Sequence, residues 1–435
     1  MNKQLVLLLI FIFSFNSSFA QWQNEEAQLG LSGYVTSNEV LPFWLQTNTQ
    51  GAVGATTNYV LDASGSIDYK LNESSFLSAG AGFFLHDGTT NDFERDQLYV
   101  QYTNKWIQAT VGSKHAKKRF NGLSISNDNF LNAGNNRALA GVLLESPASL
   151  KITNRLSLDY GLGHFMLNDE RYVDDPNVHF KMVGLNVKVS QRVTFVGQLH
   201  HYAMWGGTSP DRGELPDNLD DFKDVFLGRE GEGEERNSIG NHLGLYNFEM
   251  HIRQKAGTYV FYHQHPFEDG SGSALKNFPD GIWGFAMLPE TENYTSAFKG
   301  LVLEYIQTTS QSGGAGDAGR DNYFGNNIYQ SGWSYEGRVI GMPLITVRNN
   351  SRIQAIHAGI QLEVRKLEIE FKTTLSRNKG TFFNPFDPIQ DAIYNVAQFG
   401  YKIKNLGHVR IQIGYDYLSE FQDRFGAGVR YSYSF

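Results

Sequence analysis

The sequence predicts an all-β fold, a transmembrane antiparallel up-and-down β-barrel of about eighteen strands. Three observations lead there: an export signal at the N-terminus, long strand-like segments with one apolar parity, and connections that alternate short and long.

The chain opens with Lys3, an apolar run from Leu5 to Phe15, and the small residues Ser18 and Ala20 flanking Phe19 before Gln21. This pattern reads as a secretory signal peptide over residues 1–20. The run is too short to cross a bilayer core of about 30 Å as a helix. Residues 21–435 are expected to form a single barrel domain. The Gly-rich stretches Gly228–Gly233 and Gly313–Gly319 separate strand-like segments of similar character, so they read as loops rather than linkers. With no cysteine in the chain, lipid attachment through a thiol, disulfides, thiolate metal sites and cysteine nucleophiles are excluded. A formal charge of −8 argues against a nucleic-acid partner.

Successive side chains of a strand face opposite sides, and in a membrane barrel one side meets lipid. Tyr59, Leu61, Ala63, Ile67 and Tyr69 alternate with Val60, Asp62, Ser64, Ser66 and Asp68. Aromatic residues stand at both ends of that segment, as an interfacial girdle requires. Leu367, Ile369, Phe371 and Leu375 then oppose Glu368, Glu370, Lys372 and Ser376, so charge fills one parity only. Val409, Ile411, Ile413 and Tyr415 oppose His408, Arg410, Gln412 and Asp416 in the same way. The last strand carries Phe425, Val429, Tyr431, Tyr433 and Phe435 on one face. Its aromatic terminus at Phe435 resembles the signal by which barrel-insertion machinery recognises its clients. A soluble sandwich also alternates, but over strands of about five or six residues and without aromatic brackets.

Short turns of such barrels face the periplasm and long loops face outward. Tight connections are predicted near Asn72, Asn104, Asn154, Gln191, Arg365–Lys366 and Asn405. Long ones are predicted over 86–94, 114–138, 167–177, 204–240, 266–280, 310–351 and 378–390. With Gln28–Thr36 as the first strand and Gly281–Leu288 included, the tally reaches about eighteen, with both ends periplasmic. Segments 139–150 and 281–288 alternate least clearly. A barrel of this size has a wide lumen, which the long extracellular loops are expected to occlude. Asp217–Leu227 is predicted as a helix capped by Asp217 and ended by Gly228. Its apolar stripe of Leu219, Phe222, Val225 and Phe226 is expected to fold over the barrel mouth. Inside, Glu304, Glu368 and Glu370 are expected to pair with Arg410, Arg424 and Arg430.

For chemistry, the sequence offers little that converges. His200-His201 and His263-x-His265 invite a metal reading, and only the second pair has same-face spacing. Glu268, Asp269 and Asp280 fit no calcium loop. Ser209, Ser271 and Ser312 lie in outer loops without a nucleophile elbow. No catalytic residue, metal or cofactor is therefore expected. The outer loops instead interleave aromatics with amides and carboxylates, a composition suited to sugars, whose apolar faces take rings and whose hydroxyls take planar polar groups. The candidate carbohydrate-binding residues are Trp205, Trp283, Trp333, Tyr323, Tyr335, Asp321 and Asn322. The competing reading is that these aromatics pack the loops against one another.

Several stretches together resemble the Wzi capsule-assembly family. They are His200-His201-Tyr202-Ala203-Met204-Trp205-Gly206-Gly207-Thr208-Ser209-Pro210, His265-Pro266-Phe267-Glu268-Asp269-Gly270-Ser271-Gly272, Thr309-Ser310-Gln311-Ser312-Gly313-Gly314, and Asp321-Asn322-Tyr323-Phe324 through Tyr329-Gln330-Ser331-Gly332-Trp333-Ser334-Tyr335, with Ile340-Gly341-Met342-Pro343 following. The resemblance implies an occluded eighteen-stranded barrel in the bacterial outer membrane. It also implies a non-enzymatic surface lectin whose partner is capsular polysaccharide or exopolysaccharide. One departure is that Gln21–Asn58 lacks the helical periodicity of the family's N-terminal bundle, and Phe43-Trp44 reads as a short extended run. A diffusion channel, from the polar lumen, and an outer-membrane hydrolase, from the loop histidines and acids, are the alternatives.

Overall fold

The computed structural model describes residues 22–228, 239–290, 297–312 and 321–435. The predicted signal peptide, most of Gly228–Gly233, and the Gly313–Gly319 stretch with the motif residues Gly313-Gly314 lie outside the described residues.

Eighteen antiparallel strands close into one barrel. In chain order they begin β1 Trp22–Thr36, β2 Tyr59–Asn72, β3 Ser75–His86, β4 Phe93–Thr103 and β5 Gln108–Ser113. The sixth, β6, is Ala140–Glu145 continued by Leu150–Lys151; both pieces pair with β7 Leu156–Met166. Then come β8 Asn177–Lys188, β9 Val193–Trp205, β10 Asn241–Gln254, β11 Gly257–Phe267, β12 Gly281–Pro289 and β13 Phe298–Gln307. The wall ends with β14 Ile353–Val364, β15 Leu367–Gly380, β16 Pro385–Ile403, β17 Gly407–Leu418 and β18 Arg424–Ser434. Closure is made by β1 on β18, with Leu31 opposite Tyr431 and Thr36 opposite Gly426. A closed cylinder leaves no unpaired edge in lipid.

The predicted parity holds. Phe371 and Leu375 are exposed at 44% and 48%, whereas Thr374 and Ser376 on either side of Leu375 are buried. Ile411, Ile413, Tyr415 and Tyr417 face outward on β17, and Phe425, Val429 and Tyr431 do so on β18. The two blurred segments have physical reasons. In β6 the ladder breaks at Ser146-Pro147, because proline has no N–H to give. In β12 the inward residues Ile282 and Ala286 are as apolar as the lipid-facing Phe285 and Met287, because loops pack against them.

The tight turns lie where predicted, and Lys255-Ala256 between β10 and β11 is a further one. The connection expected over 378–390 is a correction. Gly380 pairs with Pro385, so only residues 381–384 join β15 to β16. Pro385 and Pro388 hide the strand from an alternation test, although the chain there is extended. A second correction concerns Phe43-Trp44: Phe43–Gln46 is one helical turn, α1, on the outward side between β1 and β2.

Three outward connections turn into the lumen: L1 (residues 37–58), L3 (114–139) and L7 (308–352, of which 308–312 and 321–352 are described). Leu41, Trp44 and Leu45 of L1, Leu123, Ile125 and Phe130 of L3, and Trp333, Ile340 and Met342 of L7 share one buried cluster with the inner wall. Polar anchors hold them. Glu304 on β13 accepts from Ile125 N (2.9 Å), Ser124 Oγ (2.7 Å) and Tyr262 OH (2.6 Å). Arg119 donates both arms to Glu249 on β10 (2.7 and 2.9 Å) and also pairs with Asp128. His357 donates to Leu123 O at 2.8 Å and Lys372 to Gly122 O at 2.7 Å. Beside them Gly359 admits the loop, since a Cβ there would meet Leu123 O at 2.7 Å. Asp416 accepts from Phe43 N at 2.7 Å, fixing α1 against the wall.

The expected interior pairings are corrected by these anchors and by strand register. Glu304 serves L3, Glu368 pairs with Lys402 (2.8 Å), Glu370 with Lys372 (3.2 Å), and Arg430 with Asp62 (2.5 Å). The helix expected at Asp217–Leu227 is α2, Leu219–Leu227, capped by Asn218 in a capping box with Asp221 and ended by Gly228 at φ 64°. It does not close the mouth. Phe222 rests on Trp205 and His179, ring centroids 5.3 and 5.2 Å apart, and Val225 is buried beside Ala203. His179 has the parity of the exposed Val183 and Leu185, and Trp205 that of Phe195 and Leu199. The helix therefore covers the outer face of the wall, where those rings would otherwise stand uncovered.

Candidate functional site

The outward face is built mainly by L7 lying on L3. Backbone bonds join them: Ala133 N donates to Ile340 O (2.9 Å) and Met342 N to Phe130 O (2.8 Å). A small hairpin, Ser334–Tyr335 against Arg338–Val339, stands at the top of L7. Its turn places Glu336 at φ 53° and Gly337 at φ 70°, the left-handed region that a tight turn needs. Glu336 forks onto Arg137 of L3, which fixes the hairpin laterally.

A second junction ties L7 to L6 (residues 268–280). Asp280 accepts from Ser310 N (2.9 Å), Gln311 N (2.8 Å) and Tyr323 OH (2.9 Å). Glu268 accepts from Phe324 N at 2.6 Å, and Asp321 accepts from Ser312 Oγ at 2.8 Å. Burial raises all three carboxyls above the usual range, and neighbouring carboxylates raise Glu268 and Asp321 further. Asp321 is pushed up to about 6. Asp269 is turned to local work, capping the turn Gly270–Ser273 through Gly272 N at 2.8 Å.

The seven predicted sugar-binding residues fall in four places. Trp333, Tyr323 and Tyr335 are at most 1% exposed, their polar ends bonded to Leu131 O (2.6 Å), Asp280 and Asn168 (2.7 Å). These rings pack loop on loop and present no open face. Asp321 and Asn322 are half-buried at the L6–L7 junction. Trp205 lies under α2, and Trp283 projects outward from β12 at 38% exposure, stacked on His263 at 3.7 Å. The tryptophans thus share no surface. The histidines divide as geometry requires: His200 faces inward beside Gln198, His201 outward beside His242, and His263 and His265 share the outward face.

What sequence reasoning missed is a cleft of about 640 Å³ between L1 and L7, to which L3 adds Asn135. Gln46, Thr47 and Arg338 are among its polar lining, Val53, Ile345 and Val347 among its apolar lining. No local pattern links residue 46 to residue 338, since only the folding of both loops into the same lumen brings them together.

No family model and no curated protein matches the sequence. Solved structures do. Wzi of Escherichia coli, described as an outer membrane protein involved in group 1 capsule assembly and a carbohydrate-binding β-barrel, is similar over 93% of this chain and 83% of its own. The identity is 13% and the TM-score 0.61. OprD of Pseudomonas aeruginosa is similar over 96% of this chain and 97% of its own, at 11% identity and TM-score 0.50. At these identities the likeness is one of fold. The chain is a bacterial outer-membrane β-barrel.

Proposed function

We propose that this barrel is a non-catalytic glycan-binding protein that retains capsular polysaccharide or exopolysaccharide at the cell surface. The observation that carries the reading is the loop assembly: L1, L3 and L7 pack a shared apolar cluster against the inner wall and leave a cleft between L1 and L7. A packed plug suits a binding platform better than a pore. The cleft mixes amide, hydroxyl and aliphatic groups, which is what the two faces of a sugar ring need. The fold likeness to E. coli Wzi supports the same reading. In it, Trp333, Tyr323 and Tyr335 act by shaping L7, and Asp321 and Asn322 border the surface the glycan would cross.

The test is binding of the purified barrel, in detergent, to polysaccharide from its own producing cell, together with a deletion strain. Saturable binding and loss of surface-attached polysaccharide are expected. A deletion strain with normal surface polysaccharide, or a barrel that ignores it, would contradict the reading. The OprD likeness favours a second reading, a diffusion channel. It requires substantial conductance through the unmodified protein.

A further inference from the structure

Around the L7 hairpin the arginines are engaged in different ways. Arg137 is forked by Glu336 and lies 3.4 Å from Glu94. Arg171 pairs with Asp169 at 3.2 Å and donates to the carbonyls of Gly332 (3.1 Å) and Ser334 (3.0 Å). Arg348, at the surface, donates to Gln330 at 3.1 Å. Arg338 has no ion-pair or side-chain hydrogen-bond partner among the described residues, although its Nη1 is buried. Burial pulls its pKa down, and Glu94, already shared between His86 and Arg137, offsets only part of that.

A desolvated guanidinium without a counter-ion is costly, and an arriving anion relieves that cost. Arg338 lines the cleft between L1 and L7. Its planar fork matches a carboxylate in two parallel hydrogen bonds, which a neutral hydroxyl cannot return in kind. Around it, Gln46, Thr47 and Thr346 offer partners for hydroxyls, while Val53, Ile345 and Val347 offer an apolar strip for a ring's C–H face. The volume, about 640 Å³, lies within the range of about 300–1,000 Å³ usual for ligand sites.

We propose that the cleft takes an acidic glycan, a chain carrying uronate residues, and that Arg338 receives one carboxylate of it. The inference rests on the glycan-binding reading above and adds the substrate class and the residue that selects it. Neutral sugar would still meet the amides and the aliphatic strip, but would leave the guanidinium unsatisfied.

The test uses the full-length mature barrel in detergent, titrated with an oligogalacturonate and with a neutral oligoglucan of equal length. The wild type is expected to prefer the uronate by about tenfold or more, a preference that shrinks at high salt. Arg338→Gln is expected to abolish the preference, with heat-modifiable migration confirming the folded barrel. Should that variant fail to fold, Arg338→Lys decides, because it keeps the charge but loses the fork. About threefold or more of the preference should go, since the bidentate geometry is lost. Retained preference in Arg338→Gln, unchanged preference in Arg338→Lys, or equal binding of both glycans by the wild type overturns the acidic-glycan inference and leaves the glycan-binding reading standing. If the wild type binds neither glycan, the acidic-glycan inference falls, and the glycan-binding reading is decided separately by the polysaccharide of the producing cell.

Discussion

The barrel wall and the loops inside it both present apolar side chains, and the environments they meet are opposite. On the wall, Phe371, Leu375, Ile411 and Val429 point at lipid and are exposed by any measure taken in water. In the loops, Trp333, Phe130, Leu123 and Met342 are fully enclosed and meet only protein. Lipid asks only for an apolar surface of the right parity, so wall residues are interchangeable by chemistry. An enclosed loop cluster asks for shape, and each residue there has a specific neighbour. The difference predicts that equivalent damage will have unlike consequences in the two regions.

The largest effect is expected from Trp333→Ala, which removes a fully buried indole and its bond to Leu131 O. A loss of about 3–5 kcal/mol in loop docking follows from the cavity. Limited trypsinolysis should then cleave at Arg338 and Arg348 much faster than in the wild type, while the barrel keeps its heat-modifiable migration. Equal cleavage rates would mean that L7 is not held by this cluster. A smaller loss, about 2–4 kcal/mol, is expected for Phe371→Arg, which puts a charge on the lipid side. Urea unfolding in micelles reads it directly, and an unchanged midpoint would contradict the assigned parity.

The smallest effect concerns pH at the L6–L7 junction. Asp321 has a folded-state pKa of about 6, above its ordinary value, so the folded junction binds the proton more tightly than the unfolded loop. Its contribution is therefore complete below the ordinary aspartate range and is lost as pH rises through about 6. Amide exchange at Ser310, Gln311 and Phe324, compared at matched intrinsic rates, should be slower at pH 5 than at pH 7. Faster exchange at pH 5 would reverse the assignment.

The wall was legible because lipid imposes a simple rule on alternate residues, and strands such as β15, β17 and β18 obey it. Legibility failed where a second rule intruded. Ile282 and Ala286 blur β12 because the plug makes its inner face apolar too, and Pro385 and Pro388 disguise the start of β16. Inward charges were placed on the correct face, yet their partners were not, because Arg430 meets Asp62 only through the closure of β18 on β1 and β1 on β2. The loop aromatics could be read as loop residues but not as enclosed ones. Trp333 is covered by a carbonyl 202 positions away, a contact no local window contains. Arg338 is hidden for the same reason.

The account depends most on a lipid-facing cylinder whose interior is packed shut. Single-channel recording in planar bilayers tests it directly, using the wild type beside a variant lacking residues 120–131, the part of L3 that Glu304 and His357 hold in the lumen. The wild type should pass almost no current, and the deletion should open steady channels. A wild type that conducts as freely as the deletion variant would contradict the account.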